Sequence, residues 1–470
     1  MINDNIILLS DSYKASHAKQ YPPNTSNIYS YFESRGGEFE EVVFFGLQYL
    51  IKRYLAGQVV TQEKINEASI YFADHFGNSD MFYRKGWEYI LEKHDGRLPI
   101  EIKAVPEGMP IKPRNVMMTV ENTDPQCWWL TNYVETLLVQ CWYTSTVATI
   151  SREMKKAIKS GLKRSADDLL GLQYKLHDFG CRGSTSMESA AMGGAAHLVN
   201  FSGSDTLPAI QFLREYYGHN MAGVSIPAAE HSTITSWGEA SELEAYKNML
   251  EQFPTGPVAV VSDSWDIYEA TKRLWGRELK EAVLARDGTV VIRPDSGDPR
   301  KVVPALLRIL DTEFGGAYND KGYRMLPPQV RVIQGDGINR RTLSEIIDAV
   351  LEAGYSLDNV VFGSGGGLLQ DCNRDTCQFA FKCSSAVVNG QQRDVFKRPA
   401  TMPSKNSKKG RLRLLSHPSF VTPTNGSEYM TVTDDLQIPD AVDMLNVVFR
   451  DGKLMSDQTL ADVRQRARLK

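Results

Sequence analysis

The sequence has few cysteines and places them nowhere useful for a framework. Its six (127, 141, 181, 372, 377 and 383) form no C-x-x-C pair and no cysteine–histidine set at zinc spacing. A disulfide scaffold and a zinc finger are therefore excluded, and the cysteines read as reduced thiols. No apolar run approaches the length of a membrane span. The opening "MINDNIILLSDSYK" has only four consecutive apolar residues between acidic flanks, unlike a secretory signal. A net charge of −4 gives no global attraction to nucleic acid or to an anionic membrane. The expected location is cytoplasmic. Nucleophile and metal-hydrolase signatures are missing too, since there is no G-x-S-x-G and no H-E-x-x-H. What is present is an ordinary globular composition, 42% hydrophobic and 23% charged, over 470 residues. That length exceeds one ordinary core, so two domains, or one large barrel with an added domain, are expected.

Two regimes follow one another. Up to about residue 150, strand-like pieces mix with helical ones. "SNIYSYFESRG" alternates as a half-buried strand does, and "PIEIKAVPEGMPIKP" reads as strands broken by prolines. The apolar, aromatic stretch "DPQCWWLTNYVETLLVQCWYTSTVATISREMKKAIKSGL" reads as helix, with a break near Thr144 to Thr149. From about residue 172, eight short strand-like runs end in polar or glycine residues, most of them separated by helix-length segments. They are "YKLHDFGCRG", "AAHLVNFSGSD", "AGVSIPAAEH", "PVAVVSDSWD", "TVVIRPDSGD", "VRVIQGDGIN", "VVFGSGGG" and "FAFKCSSAVV". This pattern implies parallel βα units closing into a β/α barrel, with an open doubly wound sheet as the alternative. After residue 390, "FKRPATMPSKNSKKGRLRLL" reads as a basic loop entering a strand, its charges by default a solvated surface. A hairpin at Asp451-Gly452 and a closing helix end the chain. The expected domains are 1–165, mixed α+β; 166–390, the barrel; and 391–470, a segment returning to the first domain.

Active sites of such barrels lie where strands end. The strand ends here offer Asp178, Phe179, Arg182, Asp205, Glu230, His231, Asp263, Asp266, Arg293, Asp295, Asp336 and the turn Ser364 to Gly367. Each has a mundane reading: an aspartate after a strand is often a helix cap, and a lone histidine is usually structural. Their convergence on one face favours a site for an anionic, metal-bound substrate, with carboxylates for Mg²⁺, arginines and amides for phosphate and an aromatic to stack a flat ring. A barrel glycosidase would use two of the acids. It leaves the arginines and glycines unexplained. The "VVFGSGGGLLQ" turn fits neither the P-loop nor the dinucleotide fingerprint.

Taken together, "DSYKASHAKQYPP", "KLHDFGCRG", "SIPAAEHS", "VVSDSWDIY", "IRPDSGDP", "VIQGDG", "FGSGGGLLQ", "FKCS" and "SKKGRL" closely resemble the nicotinamide phosphoribosyltransferases, in order from about Leu8 to the C-terminal region. The nicotinate phosphoribosyltransferases share the type II fold and match these motifs less well; they are the alternative. A non-catalytic protein on the same scaffold would be expected to have lost the arginines, Asp205 or His231, and none is lost.

The resemblance implies transfer of phosphoribosyl from 5-phosphoribosyl-1-pyrophosphate (PRPP) to nicotinamide, giving nicotinamide mononucleotide and pyrophosphate in NAD salvage. It also implies an irregular β/α barrel, a second mixed α+β domain built from N- and C-terminal segments, and a homodimer with active sites at the subunit interface. Phe179 and Tyr13 of the partner subunit would stack the base, Asp205 would accept its amide N–H, and Arg182 and Arg293 would line its pocket. Asp295 and Asp336 would face ribose hydroxyls and water-linked Mg²⁺. Gly335, Ser364, Gly365 and Gly366 would surround the 5-phosphate; Arg35, Arg374, Lys382 and Lys405 would bind phosphate or pyrophosphate. His231, oriented by Asp263, would be phosphorylated by ATP, which activates the enzyme. The segment "GGEFEEVVFFG" after Arg35 is shorter than in eukaryotic members.

Overall fold

The computed structural model describes residues 4–402, 405–421 and 427–469. Two stretches of the sequence readings, 1–3 of the opening and 403–404 of the basic loop, lie outside the described residues. The chain divides into two compact units. The first comprises Met1–Thr149, Tyr216–Gly218 and Cys372–Arg468; the second comprises Ile150–Glu215, His219–Asp371 and Leu469–Lys470. The cuts fall at Thr149 and Asp371 rather than at 165 and 390. The first difference arises because one continuous helix, Cys141–Ser165, carries the boundary within it. The break expected near Thr144 lies earlier: shorter helices span Leu130–Tyr133 and Glu135–Val139 before the long one begins.

The first unit is organised by a seven-stranded antiparallel sheet. Its order is Gln391–Asp394, Phe379–Val388, Thr25–Ser34, Val116–Asn122, Ile100–Ala104, Asn446–Arg450 and Lys453–Leu454. Thr25–Ser34 is central and buried at nearly every position, so its alternation does not mark an exposed face. Phe379–Val388, expected as the eighth barrel strand, instead pairs antiparallel with Thr25–Ser34, joining residues some 350 positions apart. Asn446–Arg450 and Lys453–Leu454 form the expected hairpin, with Asp451 and Gly452 both at positive φ, as a tight two-residue turn requires. The helix Leu460–Ala467 follows, with a Thr459–Asp462 capping box.

The second unit is an irregular β/α barrel. Six parallel strands run in the order Gly203–Ser204, Leu176–Asp178, Val360–Ser364, Val330–Gln334, Val290–Arg293 and Val258–Val261. Both edge strands meet the irregular segment 224–228, through bridges Gly203–Val224 and Ala228–Ala259, which closes the ring. Seven of the eight expected runs thus contribute to the ring, and "VVFGSGGG" is the seventh in chain order. Amphipathic helices cover its outside, among them Pro299–Phe314 and Arg340–Glu352, the latter started by an Asn339–Thr342 capping box. Inside, Ala259, Val291 and Ile333 pack with Ile226, Val361 and Phe179, so the ring is filled. Among the described residues no helix is long and apolar enough to cross a membrane.

Candidate active site

Strand register determines what shares the barrel rim. Val261 lies opposite Arg293, Ile292 opposite Val332, Gln334 opposite Phe362, and Ser364 opposite Asp178, itself opposite Ser204. The residues that follow each strand therefore emerge at one end of the ring. Phe179 leaves its strand with its N–H bonded to the Ser364 carbonyl at 2.9 Å. Its ring lies over Gly363 and beside Gly335. A Cβ at Gly363 would sit 2.1 Å from Phe179 Cε2, and one at Gly335 would sit 3.2 Å from the same atom. Gly363 thus makes room for the aromatic ring. Gly367 permits close approach of the Ile338 carbonyl, and within this turn Gly366 opens onto empty space.

Around Phe179 the polar groups are largely paired. Arg293 meets Asp295 through Nε at 3.1 Å and a terminal nitrogen at 3.0 Å, and a Cβ at Gly335 would lie 3.7 Å from Arg293 Nε. One strand along, the Asp263 carboxylate is nearly buried. It bonds His231 Nε2 at 3.0 Å through Oδ1 and accepts the Ser296 hydroxyl at 2.6 Å through Oδ2. His231 opens the short helix His231–Thr235, and its side chain is 45% exposed. Asp205 is exposed and accepts the Ser225 hydroxyl. Arg182 and Asp336 are exposed at the same rim.

Other strand-end residues have structural duties. Asp266 caps the helix Ile267–Glu269 by accepting two backbone N–H groups. Glu230 accepts the Ser232 hydroxyl. Ser364, expected near phosphate, is fully buried and donates to the Ile338 carbonyl at 2.6 Å, so its hydroxyl is already spent on the turn.

The remaining cations expected at phosphate gather in the first unit. A cavity of about 600 Å³ there is lined by Arg35, Arg374, Lys382, Lys397 and Lys405, with Glu135 and Asp375 as its acids. The strand misplaced by the sequence reading builds it: Lys382 lies on Phe379–Val388, and the Arg35 N–H bonds the Gln378 carbonyl just before that strand. Arg35 bonds Glu33 through Nε at 3.2 Å, yet its buried Nη2 has no partner. Burial pushes the Lys382 ammonium pKa down, and Arg35, Lys397 and Arg374 push it further. Such a cluster suits a polyanion. Tyr13 also belongs to this unit, 58% exposed on Ser12–Lys19.

Lys397 escaped the sequence reading because a lysine in a basic loop carries no spacing signal. Ser225, Ser296 and Gly363 escaped because their partners are distant in sequence.

Comparison with known proteins places this arrangement. Residues 174–453 match the family described as "Nicotinate phosphoribosyltransferase (NAPRTase) family", and residues 5–102 match "Nicotinamide phosphoribosyltransferase, N-terminal domain". The chain is 48% identical to a nicotinamide phosphoribosyltransferase of Xanthomonas campestris pv. campestris (strain 8004), covering 99% of this chain and 98% of that one. It is 33% identical to one of Acinetobacter baylyi, covering 97% and 95%. A nicotinate-nucleotide pyrophosphorylase from Pyrococcus furiosus shares the fold, with a TM-score of 0.62 at 15% identity over 99% of this chain and 96% of that one. So does human nicotinic acid phosphoribosyltransferase, with a TM-score of 0.59 at 15% identity over 98% and 93%.

Proposed function

The chain belongs to the nicotinamide phosphoribosyltransferase family, and we propose that the barrel rim is its base and ribose site and the cation cavity its pyrophosphate site. The pyridine nitrogen of nicotinamide attacks C1 of PRPP as the C1–oxygen bond to pyrophosphate breaks, giving nicotinamide mononucleotide for NAD synthesis. That nitrogen has a free lone pair, so no general base is needed; positioning and charge carry the reaction. The observation that carries the assignment is the Phe179 ring, seated against Gly363 and Gly335 beside Arg293. A planar base stacks on that ring, with Arg182 and Arg293 around it. Asp205 accepts an amide N–H and repels the carboxylate of nicotinate. Gly365 and the open Gly366 give backbone approach to the ribose 5-phosphate, beside Gly335.

Asp295 and Asp336 would face the ribose hydroxyls and would hold Mg²⁺, with Asp295 already bonded to Arg293. Among the described residues no three potential ligands converge at the rim. Mg²⁺ keeps several waters and shares substrate phosphates, so two carboxylates at the rim would be enough to hold it. When bound, it neutralises charge on the departing pyrophosphate. Arg35, Arg374, Lys382 and Lys405, joined by Lys397, take the phosphate charge, and the unpartnered Arg35 Nη2 supports this.

His231 is the acceptor of an activating phosphoryl group from ATP. With Nε2 donating to Asp263, Nδ1 keeps its lone pair and attacks the γ-phosphorus; the β–γ bridging bond breaks and ADP leaves. The assay is purified protein with nicotinamide, PRPP and Mg²⁺, with and without ATP. Mononucleotide formation stimulated by ATP is expected in the wild type and unstimulated formation in His231→Ala. No mononucleotide from the wild type would overturn the reading.

We place the enzyme in the cytoplasm, in keeping with six cysteines that are not in disulfides, and as a homodimer. Tyr13 of the partner subunit closes the base site, and the partner's cation cavity takes the pyrophosphate. Heterodimers of Asp205→Ala with Lys382→Ala then regain one working site of two. If both halves came from one subunit, those heterodimers would stay inactive.

A further inference from the structure

We infer that Asp178 is a positioning residue for base recognition: from behind the ring wall, this one residue fixes both the turn that presents Phe179 and the strand end that presents Asp205. The inference rests on the assignment of Phe179 and Asp205 to the base.

Alternation along Leu176–Asp178 sends successive side chains to opposite sides of the ring. His177 and Phe179 share the inner side, their ring centroids 6.2 Å apart. Asp178 therefore points outward, toward the helix Met187–His197, where a Cβ at Gly194 would lie 2.8 Å from its Oδ2. The residue is fully buried and touches no solvent, so it is no substrate ligand.

Its bonds to Gly180 and to the Asp205 strand end lead to the two base-binding residues. Asp178 Oδ1 accepts the Gly180 N–H at 2.7 Å, immediately after Phe179. The Phe179 N–H is itself tied to Ser364 at 2.9 Å, so the aromatic residue is clamped on both sides. On the other strand, the Asp205 N–H donates to the Asp178 carbonyl at 3.0 Å. Ser204, the residue before, donates weakly to Asp178 Oδ2 at 3.4 Å, and its hydroxyl accepts the Thr206 N–H at 3.0 Å. Asp205 is thus held from its own backbone and from both neighbours.

A strand-end aspartate that merely closes a turn has no need to be buried without a cation. Here burial, helped by the charge of Asp205, pushes the Asp178 carboxyl up to about 6. The ionised group is costly, and a costly buried charge is retained where it serves a site.

The test compares Michaelis constants for both substrates in Asp178→Ala, Asp178→Asn, Phe179→Ala and Asp205→Ala. A positioning role raises the nicotinamide KM of Asp178→Ala about tenfold or more, leaves the PRPP KM within about twofold, and narrows discrimination against nicotinate. Asp178→Asn, which keeps an oxygen acceptor for Gly180, recovers most of the nicotinamide KM. If Asp178→Ala fails to fold, Ser204→Ala serves in its place, with the nicotinamide KM raised about two- to threefold and the PRPP KM unchanged. Equal changes in both KM values, or none, would overturn the inference while Phe179→Ala and Asp205→Ala still impair nicotinamide. If those two also left nicotinamide untouched, the base-site assignment would fall and the inference with it.

Discussion

At the barrel rim Arg293 meets Asp295, His231 meets Asp263, and Asp205 meets Ser225. In the cation cavity five basic side chains line one space with only Glu135 and Asp375 as acids. The rim is organised before substrate arrives, its aromatic ring seated on glycine and its carboxylates on hydroxyls. The cavity keeps an excess of positive charge even with Arg35 paired to Glu33 and Arg374 to Asp375, so it is organised for a polyanion. Base recognition should therefore be sensitive to shape and insensitive to salt, and phosphate recognition the reverse.

The largest expected effect breaks the rim by shape alone. Gly363→Ala places a Cβ 2.1 Å from the Phe179 ring and drives it from its seat. Steady-state kinetics should show kcat/KM for nicotinamide falling about a hundredfold to a thousandfold, a loss typical of displacing a positioned group by an ångström or more. A variant with wild-type kinetics would mean the ring is not held there.

Next comes the cost of a charge buried behind the rim. The Asp178 carboxyl rises from 3.8 to about 6, so its folded form binds a proton more tightly than its unfolded form. Its contribution to stability is present below about pH 4 and is lost as pH rises through about 6, a change of roughly 3 kcal/mol. Asp178→Asn does not titrate. Denaturant unfolding should show it gaining stability over the wild type between about pH 4 and pH 7. Parallel stability curves would contradict the buried-charge account.

The cavity should break by charge. Lys382→Ala is expected to raise the PRPP KM about tenfold to thirtyfold with little change for nicotinamide, and added salt should mimic it in the wild type. Salt raising both KM values together would erase the distinction between the two regions. The smallest effect belongs to Ser364→Ala. Losing its bond to Ile338 should cost about 1 kcal/mol in thermal unfolding and leave the PRPP KM within about twofold. A large PRPP effect would return Ser364 to the phosphate site.

The rim was far more legible in the sequence than the cavity. Each ring strand is a short apolar run ending in a polar residue, and parallel pairing with its neighbours brings those ends together, so a list of strand ends is already a list of rim residues. Phe379–Val388 has the same local pattern but pairs antiparallel with a strand near the start of the chain. Local composition does not distinguish the two, and the error carried Lys382 into the wrong unit. In the glycine turn the sequence assigns Ser364, Gly365 and Gly366 to phosphate and gives Gly363 and Gly367 no role. Only the fold separates Gly363 and Gly367, which admit protein atoms, from Gly366, which faces open space. Asp178 stood in the strand-end list without a role, because its partners lie behind the wall rather than on the rim.

The most direct measurement is the initial rate of mononucleotide formation from PRPP with nicotinamide and, separately, with nicotinate at equal concentration. The account predicts strong preference for nicotinamide in the wild type, relaxed in Asp205→Ser by weaker use of nicotinamide. Equal turnover of the two bases by the wild type would contradict it.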